Sequence, residues 1–329
     1  MNINEMNHKA NADLVSVIIP SYNYAIYLER RIQSILDQSY QNIEIIIIDD
    51  CSTDNSVEVL GQYSSHPKIT LVTRDENGGW PIVNNQGVEL SSGDYILFAQ
   101  CDDTCDPSMI ESLVESMRSY PTAGIAFCRS LYVDEKGNVL GEDYDDRETL
   151  FKEICKKNVL IEKHEMTKFL FHSCVIPNIS AALIRRECFN VVGCFPQEYP
   201  ICGDWEWFFR VAKGYDVTYI AEPLNKFMQH DKTIRSMTKS RITFEEYFRL
   251  LLSNIKKSDL SFLEKCNIRM RIMELWSTHL LSRSLDGMKN FPYHLICIGR
   301  LDFIAIIFLP PALLSRMLLI IKKVIGRVV

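Results

Sequence analysis

The stretch Ile45-Ile46-Ile47-Ile48-Asp49-Asp50-Cys51-Ser52-Thr53-Asp54 sets four isoleucines directly against a cluster of acids and small polar residues. A second stretch repeats the pattern: Tyr95-Ile96-Leu97-Phe98 is followed shortly by Asp102-Asp103. Short runs of β-branched and apolar residues read as strands buried on both faces, as in parallel sheets. Acids just past such strands fall at the carboxyl edge of the sheet, where open α/β folds bind their ligands. Carboxylates converging there repel one another unless a cation lies between them. The combination points to a divalent metal and a phosphorylated ligand.

Outward from these two runs, strands and helices alternate through the first 130 residues. Residues 14–19 read as a strand ended by Pro20, followed by a helix with Leu28, Ile32, Ile35 and Leu36 on one face. Residues 43–48, 69–73 and 94–99 are further strands. Ser52, Thr53 and Asp54 can cap a helix through Val57, Val59 and Leu60. The Asn77-Gly78-Gly79 turn leads into a helix around 83–90, and Pro107 opens another over 108–120. This order implies a mostly parallel sheet covered by helices. Strands are also expected at 124–128, 130–133 and 217–220, residues 180–184 are apolar again, and a helix runs from Asp204 to Ala212, closed by Gly214. Residues 141–165 are charged and weakly periodic and read as a mobile loop near the acceptor side. Beyond residue 243 the pattern is helical.

The chain has 329 residues, enough for one large α/β domain with a helical appendage. A net charge of −6 argues against nucleic-acid binding through a basic surface. Eleven scattered cysteines, without a CxxC pair, read as reduced thiols of a cytosolic protein rather than zinc ligands. The first fourteen residues are polar and contain no apolar signal-peptide core, so the catalytic part is expected in the cytoplasm.

Several motifs then occur in order: Val15-Ser-Val-Ile-Ile-Pro20-Ser-Tyr22-Asn23, Ile45 to Asp54, Asn77-Gly78-Gly79, Asn85 with Gly87, Gly93-Asp-Tyr-Ile, and Asp102-Asp103. Ser180-Ala-Ala-Leu-Ile-Arg185-Arg186, Val192-Gly193-Cys-Phe195 and Gly203-Asp204-Trp-Glu-Trp-Phe-Phe-Arg210 continue the series towards His230. Over about residues 14–230 the chain resembles the family 2 inverting glycosyltransferases. The resemblance implies a GT-A fold: a Rossmann-like mixed α/β sheet of the nucleotide-diphospho-sugar transferase kind, here with a helical C-terminal extension. The expected division is a polar tail at 1–13, the glycosyltransferase domain at 14–235 and a helical region at 236–329.

The resemblance also assigns roles. Pro20, Tyr22 and Asp50 match nucleotide-pocket positions, with Tyr22 stacking on the base and Asp50 accepting its N–H, while Asp49 is structural. Asn77, Gly78 and Asn85 belong to the loop and helix brought against the donor. Asp103 matches a direct ligand of Mn²⁺ or Mg²⁺, and Asp102 a ribose or metal ligand. His230 matches a position that completes the metal site or touches the diphosphate. Gln100 stands where the family often has an acid; it can bond a ribose or a metal-bound water but brings no charge. Asn84 stands where the family often has Arg or Lys, and Gly203 where it commonly has Glu. Asp204 matches the general base that deprotonates the acceptor hydroxyl. Trp205 is a candidate sugar platform, although aromatics at the spacing of Trp205 and Trp207 serve equally well as core.

From Arg300 to Val329 the local charge is +4, against −10 for the rest. The apolar run from Phe303 to Leu314 is split by Pro310-Pro311 and too short to span a bilayer. Leu313 to Val324, with Arg316, Lys322 and Lys323, resembles an amphipathic helix on an anionic membrane. The alternative is a helix pair packed on the domain or on a second subunit of a homodimer. The Gln-x-x-Arg-Trp motif of processive relatives is absent. The expected activity is therefore transfer of one sugar, with inversion, from a nucleoside-diphosphate donor, UDP favoured, to a glycan or lipid-linked oligosaccharide. The expected location is peripheral, on the cytoplasmic face of a bacterial inner membrane during surface-polysaccharide synthesis. An inactive nucleotide-sugar-binding module and a nucleotidyltransferase are the alternatives. The second normally opens with a Gly-rich basic loop, where this chain has Pro20-Ser21-Tyr22-Asn23.

Overall fold

A computed structural model describes residues 13–146, 149–230, 240–281 and 295–313. The chain divides into two compact units, Met1–His230 and Asp231–Val329.

The first unit is built on one ten-stranded sheet. Strands β1 (Val15–Ser21), β2 (Ile43–Asp49), β3 (Ile69–Thr73) and β4 (Tyr95–Phe98) lie in the order β3-β2-β1-β4, all parallel. In β1, β2 and β4 Val17, Ile18, Ile19, Ile45, Ile47, Ile48, Ile96 and Leu97 are all fully buried, whereas β3 at the edge is only partly covered. Each such side chain contributes roughly 1.5–3 kcal/mol on burial. Helices α1 (Ala25–Leu36), α2 (Ser56–Gly61), α3 (Trp80–Leu90) and α4 (Met109–Ser119) form the crossovers and flanks. The cap of α2 comes from Asp54, whose Oδ1 accepts from Ser56 N at 2.9 Å and Ser56 Oγ at 2.6 Å.

Pro20 does not end its strand. It continues in β1 opposite Ile48, because its absent N–H falls on the β4 side, where the ladder has already finished at Ile18–Phe98. The neighbouring Ser21 carbonyl still accepts from Asp50 N at 2.8 Å on the β2 side.

The second half of the sheet is mixed. The short strand β5 (Thr104–Cys105) precedes β6 (Ala123–Val133), β7 (Val139–Glu142), β8 (Val159–Ile161), β9 (Ala182–Arg185) and β10 (Asp216–Met228). The antiparallel β9 joins β4 to β6, and β10 runs parallel to β6. The two short strands expected at 124–133 are thus one long strand, and the segment at 217–220 extends to Met228. The described residues of the expected mobile loop at 141–165 instead form regular elements. The segment contains the end of β7, helix α5 (Thr149–Ile154), β8 paired to β10, and the start of α6 (Lys163–His172). Its apolar residues Phe151, Cys155 and Ile161 are buried, too few and too unevenly spaced to register as a period. Helices α7 (Arg186–Val192) and α8 (Gly203–Val211) complete the unit.

In the second unit, α9 (Ser240–Lys257) and α10 (Phe262–Leu281) bury Phe248, Leu251, Ile272 and Trp276. Ser261 and Glu264 form a capping box ahead of α10, with Ser261 N donating to Glu264 Oε2 at 2.9 Å and Glu264 N to Ser261 Oγ at 3.3 Å. A short helix α11 (Phe303–Ile307) follows Asp302, which pairs with Arg269 at 2.7 Å. The expected amphipathic segment lies outside the described residues after Leu313. Among the described residues no helix is long and apolar enough to cross a membrane.

Candidate active site

The carboxyl edge of the sheet gathers the loops after β1, β2, β3 and β4. Asn23 (φ 56°) and Cys51 (φ 63°) both adopt left-handed backbone there, a conformation that costs energy outside glycine and clusters at functional sites. The cost is offset by local bonds. Asn23 Oδ1 accepts from Thr53 N at 2.7 Å, and Asn23 N donates to Ser52 Oγ at 2.9 Å, so the first two loops are stitched together. Tyr22 projects from this junction with 43% of its surface exposed, as a stacking platform requires.

The Asp49-Asp50 pair divides its work. Asp49 is fully buried and accepts from Ser52 N at 2.9 Å and Ser52 Oγ at 2.6 Å, a turn-forming role. Asp50 Oδ1 accepts from Arg74 Nε and Gly78 N, and its Oδ2 from Gly79 N, each at 2.9 Å. Its carbonyl accepts from Asn77 Nδ2 at 3.2 Å. Asn77 and Gly78 are both tied to Asp50 by these bonds. A carboxylate has about four acceptor positions, and three of those on Asp50 are taken by these bonds. Gly78 has no room for a Cβ, which would sit 2.8 Å from Arg74 Nη2 and 2.9 Å from Ile82 Cγ2. Gly79, at φ 78°, needs glycine for its backbone.

At β4 the two acids behave differently from expectation. Asp103 is 1% exposed, and its carboxylate accepts from Met228 N at 3.0 Å and Asn178 Nδ2 at 2.7 Å. Burial, and next the charge of Asp102, push its carboxyl up to about 7. This geometry does not suit the direct metal ligand that Asp103 was expected to be; Asp103 ties β10 and the 178 loop to the sheet edge. Asp102 is the acid left facing outward. Its Oδ2 lies 3.0 Å from His230 Nε2, and the hydrogen bond that Asp102 accepts raises the histidine's pKa. His230 is flanked by the rings of Tyr24 and Tyr27, at 6.1 and 5.7 Å. The backbone carbonyl of Asp102 accepts from Arg30 Nη2 at 3.3 Å. Gln100 N donates to Ser180 Oγ at 3.1 Å, which places Gln100 at the same edge. The carbonyl of Pro20 accepts the Cys101 thiol at 3.0 Å.

No group of three or more His, Cys, Asp or Glu among the described residues is arranged to hold a metal ion. Asp102 and His230, bonded to each other here, are the two groups at this edge that would have to hold a divalent cation of the Mn²⁺ or Mg²⁺ kind. Such ions commonly take one or two protein ligands and complete their shell with substrate phosphates and water.

Asn85 donates to the Phe195 carbonyl and accepts from its N–H at 2.9 Å each, which splices α3 to the 195 segment and uses one donor and one acceptor position of the amide. One further expectation is corrected. Trp205 is 7% exposed, with Nε1 donating to Leu170 O at 3.0 Å, which makes it core and not a sugar platform. Trp207 is likewise buried and stacks on Phe189 at 4.5 Å. Asp204 lies in the first turn of α8, half-buried, and its Oδ1 accepts from Trp205 N at 2.7 Å.

Sequence reasoning missed Arg74, Asn178 and Trp80. Arg74 follows directly on the last residue of β3 and could have been found by asking which cation meets the acids of the neighbouring strand. Asn178 offered no signal in the sequence.

The family model for glycosyl transferase family 2 matches residues 16–192, and the chain belongs to that family. GlyG of Streptococcus pneumoniae is 32% identical over 186 residues, covering 55% of this chain and 60% of GlyG. TuaG, a glycosyltransferase attributed to teichuronic acid biosynthesis in Bacillus subtilis, is 35% identical over 149 residues, covering 45% of this chain and 59% of TuaG. The chain thus spans about 60% of the length of these relatives. Among solved structures, S. aureus TarS 1-349 in complex with UDP-GlcNAc aligns with a TM-score of 0.65 at 18% identity, over 87% of this chain and 80% of that one. Mannosyltransferase PcManGT from Pyrobaculum calidifontis, in complex with GDP-Man and Mn²⁺, aligns at 0.55 and 15% identity, over 94% and 87%. The fold is that of GT-A glycosyltransferases.

Proposed function

We propose that this glycosyltransferase moves one sugar, with inversion, from a UDP-sugar to an acceptor hydroxyl, with a divalent cation at Asp102 and His230. The observation that carries the reading is the unequal neutralisation of the sheet edge. Asp50 is paired by Arg74 and loop amides. Asp102 and Asp103, by contrast, form no ion pair with Arg or Lys among the described residues. A nucleotide base suits the first place and a cation with its diphosphate the second. The TarS complex with UDP-GlcNAc and the PcManGT complex with Mn²⁺ support both parts of this choice.

Bound there, the cation would screen the charge of the departing diphosphate. Asp204 takes the proton of the acceptor hydroxyl as that oxygen attacks the anomeric carbon, and the bond to the diphosphate oxygen breaks on the opposite face. One carboxylate suffices, because a nucleoside diphosphate leaves without protonation, unlike the leaving group of a glycosidase. Tyr22 stacks on the base and Asp50 reads it.

The acceptor we propose is a lipid-linked oligosaccharide of bacterial surface-polysaccharide assembly, reached by a peripheral contact of the basic C-terminus with the cytoplasmic membrane face. The attribution of TuaG to teichuronic acid biosynthesis supports the pathway class. Calorimetric titration with UDP, GDP and dTDP, in Mn²⁺ and again with EDTA, tests the donor site. Metal-dependent binding of UDP alone upholds the reading. Equal binding in EDTA removes the cation from it, and binding of none of the three removes the donor site.

A further inference from the structure

We infer that Trp80 is a positioning residue for Asp204, acting through the missing side chain of Gly203. The inference rests on Asp204 being the base. Trp80 opens α3 directly after Gly79, whose N–H is bound by Asp50. Its indole Nε1 donates to Pro200 O at 2.6 Å, and its ring lies 5.4 Å from the ring of Phe195. Asn85, further along the same helix, holds both backbone polar groups of Phe195. One helix therefore grips the segment leading into α8 by two side chains at separate points.

Gly203 shows what that grip is for. A Cβ there would lie 2.9 Å from Trp80 Cζ2, 3.0 Å from Cη2 and 3.4 Å from Pro196 O. Its backbone is not in the left-handed region, so the glycine is demanded by the ring and not by φ. The ring cannot swing aside cheaply, because its N–H is anchored on Pro200 and it packs against the Phe195 ring. Trp80 occupies the space in which residue 203, the chain neighbour of Asp204, would carry a side chain. The pair links the base-reading acid Asp50, through Gly79, to the backbone that carries the catalytic carboxylate.

The test is a double-mutant cycle with Gly203→Ala, Trp80→Leu and their combination, using UDP calorimetry and release of UDP from UDP-GlcNAc. Gly203→Ala should lower turnover by about a hundredfold, the size of effect expected from a displacement near 1 Å, while UDP affinity moves by less than about twofold. The combined variant should recover about tenfold of that loss, because the shortened side chain frees the space for the new methyl. Trp80→Phe, which keeps a ring and loses the Pro200 hydrogen bond, should lower kcat with the donor KM unchanged. Additive losses, or full turnover in a folded Gly203→Ala protein, would overturn the inference. Should Gly203→Ala not fold, Trp80→Phe decides: an unchanged kcat overturns it. Asp204→Asn run alongside separates the two claims, since retained turnover there refutes the base assignment itself.

Discussion

At the amino ends of the strands, Glu44 Oε1 alone accepts from Ser16 Oγ at 2.6 Å, Ser92 N at 2.6 Å, Ser92 Oγ at 2.9 Å and Gly93 N at 3.2 Å. At the carboxyl ends, Asp102 has its outward oxygen met by one histidine, and Asp204 receives the N–H of its own neighbour. The same residue chemistry serves two ends of one sheet. Where one carboxylate oxygen gathers four donors of the protein, as in Glu44, the acid is a fastening; where the printed partner is a single titratable ring, as at Asp102, the charge lies at the edge where a substrate would bind. Asp50 and Asp103 lie between these extremes, on the ligand-binding edge but largely consumed by it.

The largest effect should follow from removing the proposed base. Asp204→Asn should cut transfer by about 10²–10⁴-fold, the usual worth of a positioned base, with UDP affinity retained. Retained transfer would show that Asp204 only caps α8. The adjacent pair gives a sharper break. Asp102→Asn should weaken Mn²⁺-dependent UDP binding by about 10–100-fold, whereas Asp103→Asn should leave the metal dependence in place and lower the melting temperature. The reverse result would restore Asp103 as the ligand. The physical reason to expect otherwise is the engagement of its carboxylate by Met228 N and Asn178 Nδ2.

Arg74→Met tests the intermediate case. Asp50, with 4% of its side chain exposed, would keep two loop amides but lose its counter-charge. We expect a loss of about 1–3 kcal/mol, measured by urea unfolding, and weaker UDP binding as the 77–79 turn loosens. An unchanged unfolding midpoint would mean that the loop amides alone hold Asp50.

These distinctions mark the limit of what the chain alone discloses. The strands around Ile45–Ile48 and Tyr95–Phe98 were legible because burial on both faces writes an unbroken apolar run. The acids at their ends were legible as a group for the same reason. Which acid of each pair turns outward was not, because it depends on partners distant in sequence. Asn178 lies 75 residues from Asp103, and Met228 lies 125 residues away. Trp205 was misread, because an indole next to a motif gives no sign that the Leu170 carbonyl will claim its N–H. The region 141–165 lacked periodicity because its helix and strand bury only a few residues each.

Glu44 gives the smallest effect and the cleanest control for the comparison. Burial opposes ionisation of Glu44, but the hydrogen bonds from Ser16, Ser92 and Gly93 outweigh it and hold the carboxyl below its ordinary range. A depressed folded-state pKa means that the ionised carboxylate stabilises the fold above the unfolded value. That contribution is lost as pH falls through the folded-state pKa. Glu44→Gln keeps the accepting oxygen and removes only the charge, so it should cost about 1 kcal/mol at pH 7. The difference from the native chain should then shrink as pH falls below about 4 and vanish once both side chains are neutral. UDP binding should not change, because every bond Glu44 Oε1 makes lies at the opposite end of the strands. A change in UDP affinity would mean that the two ends of the sheet are coupled, and that the division between fastening acids and acids of the binding edge does not hold.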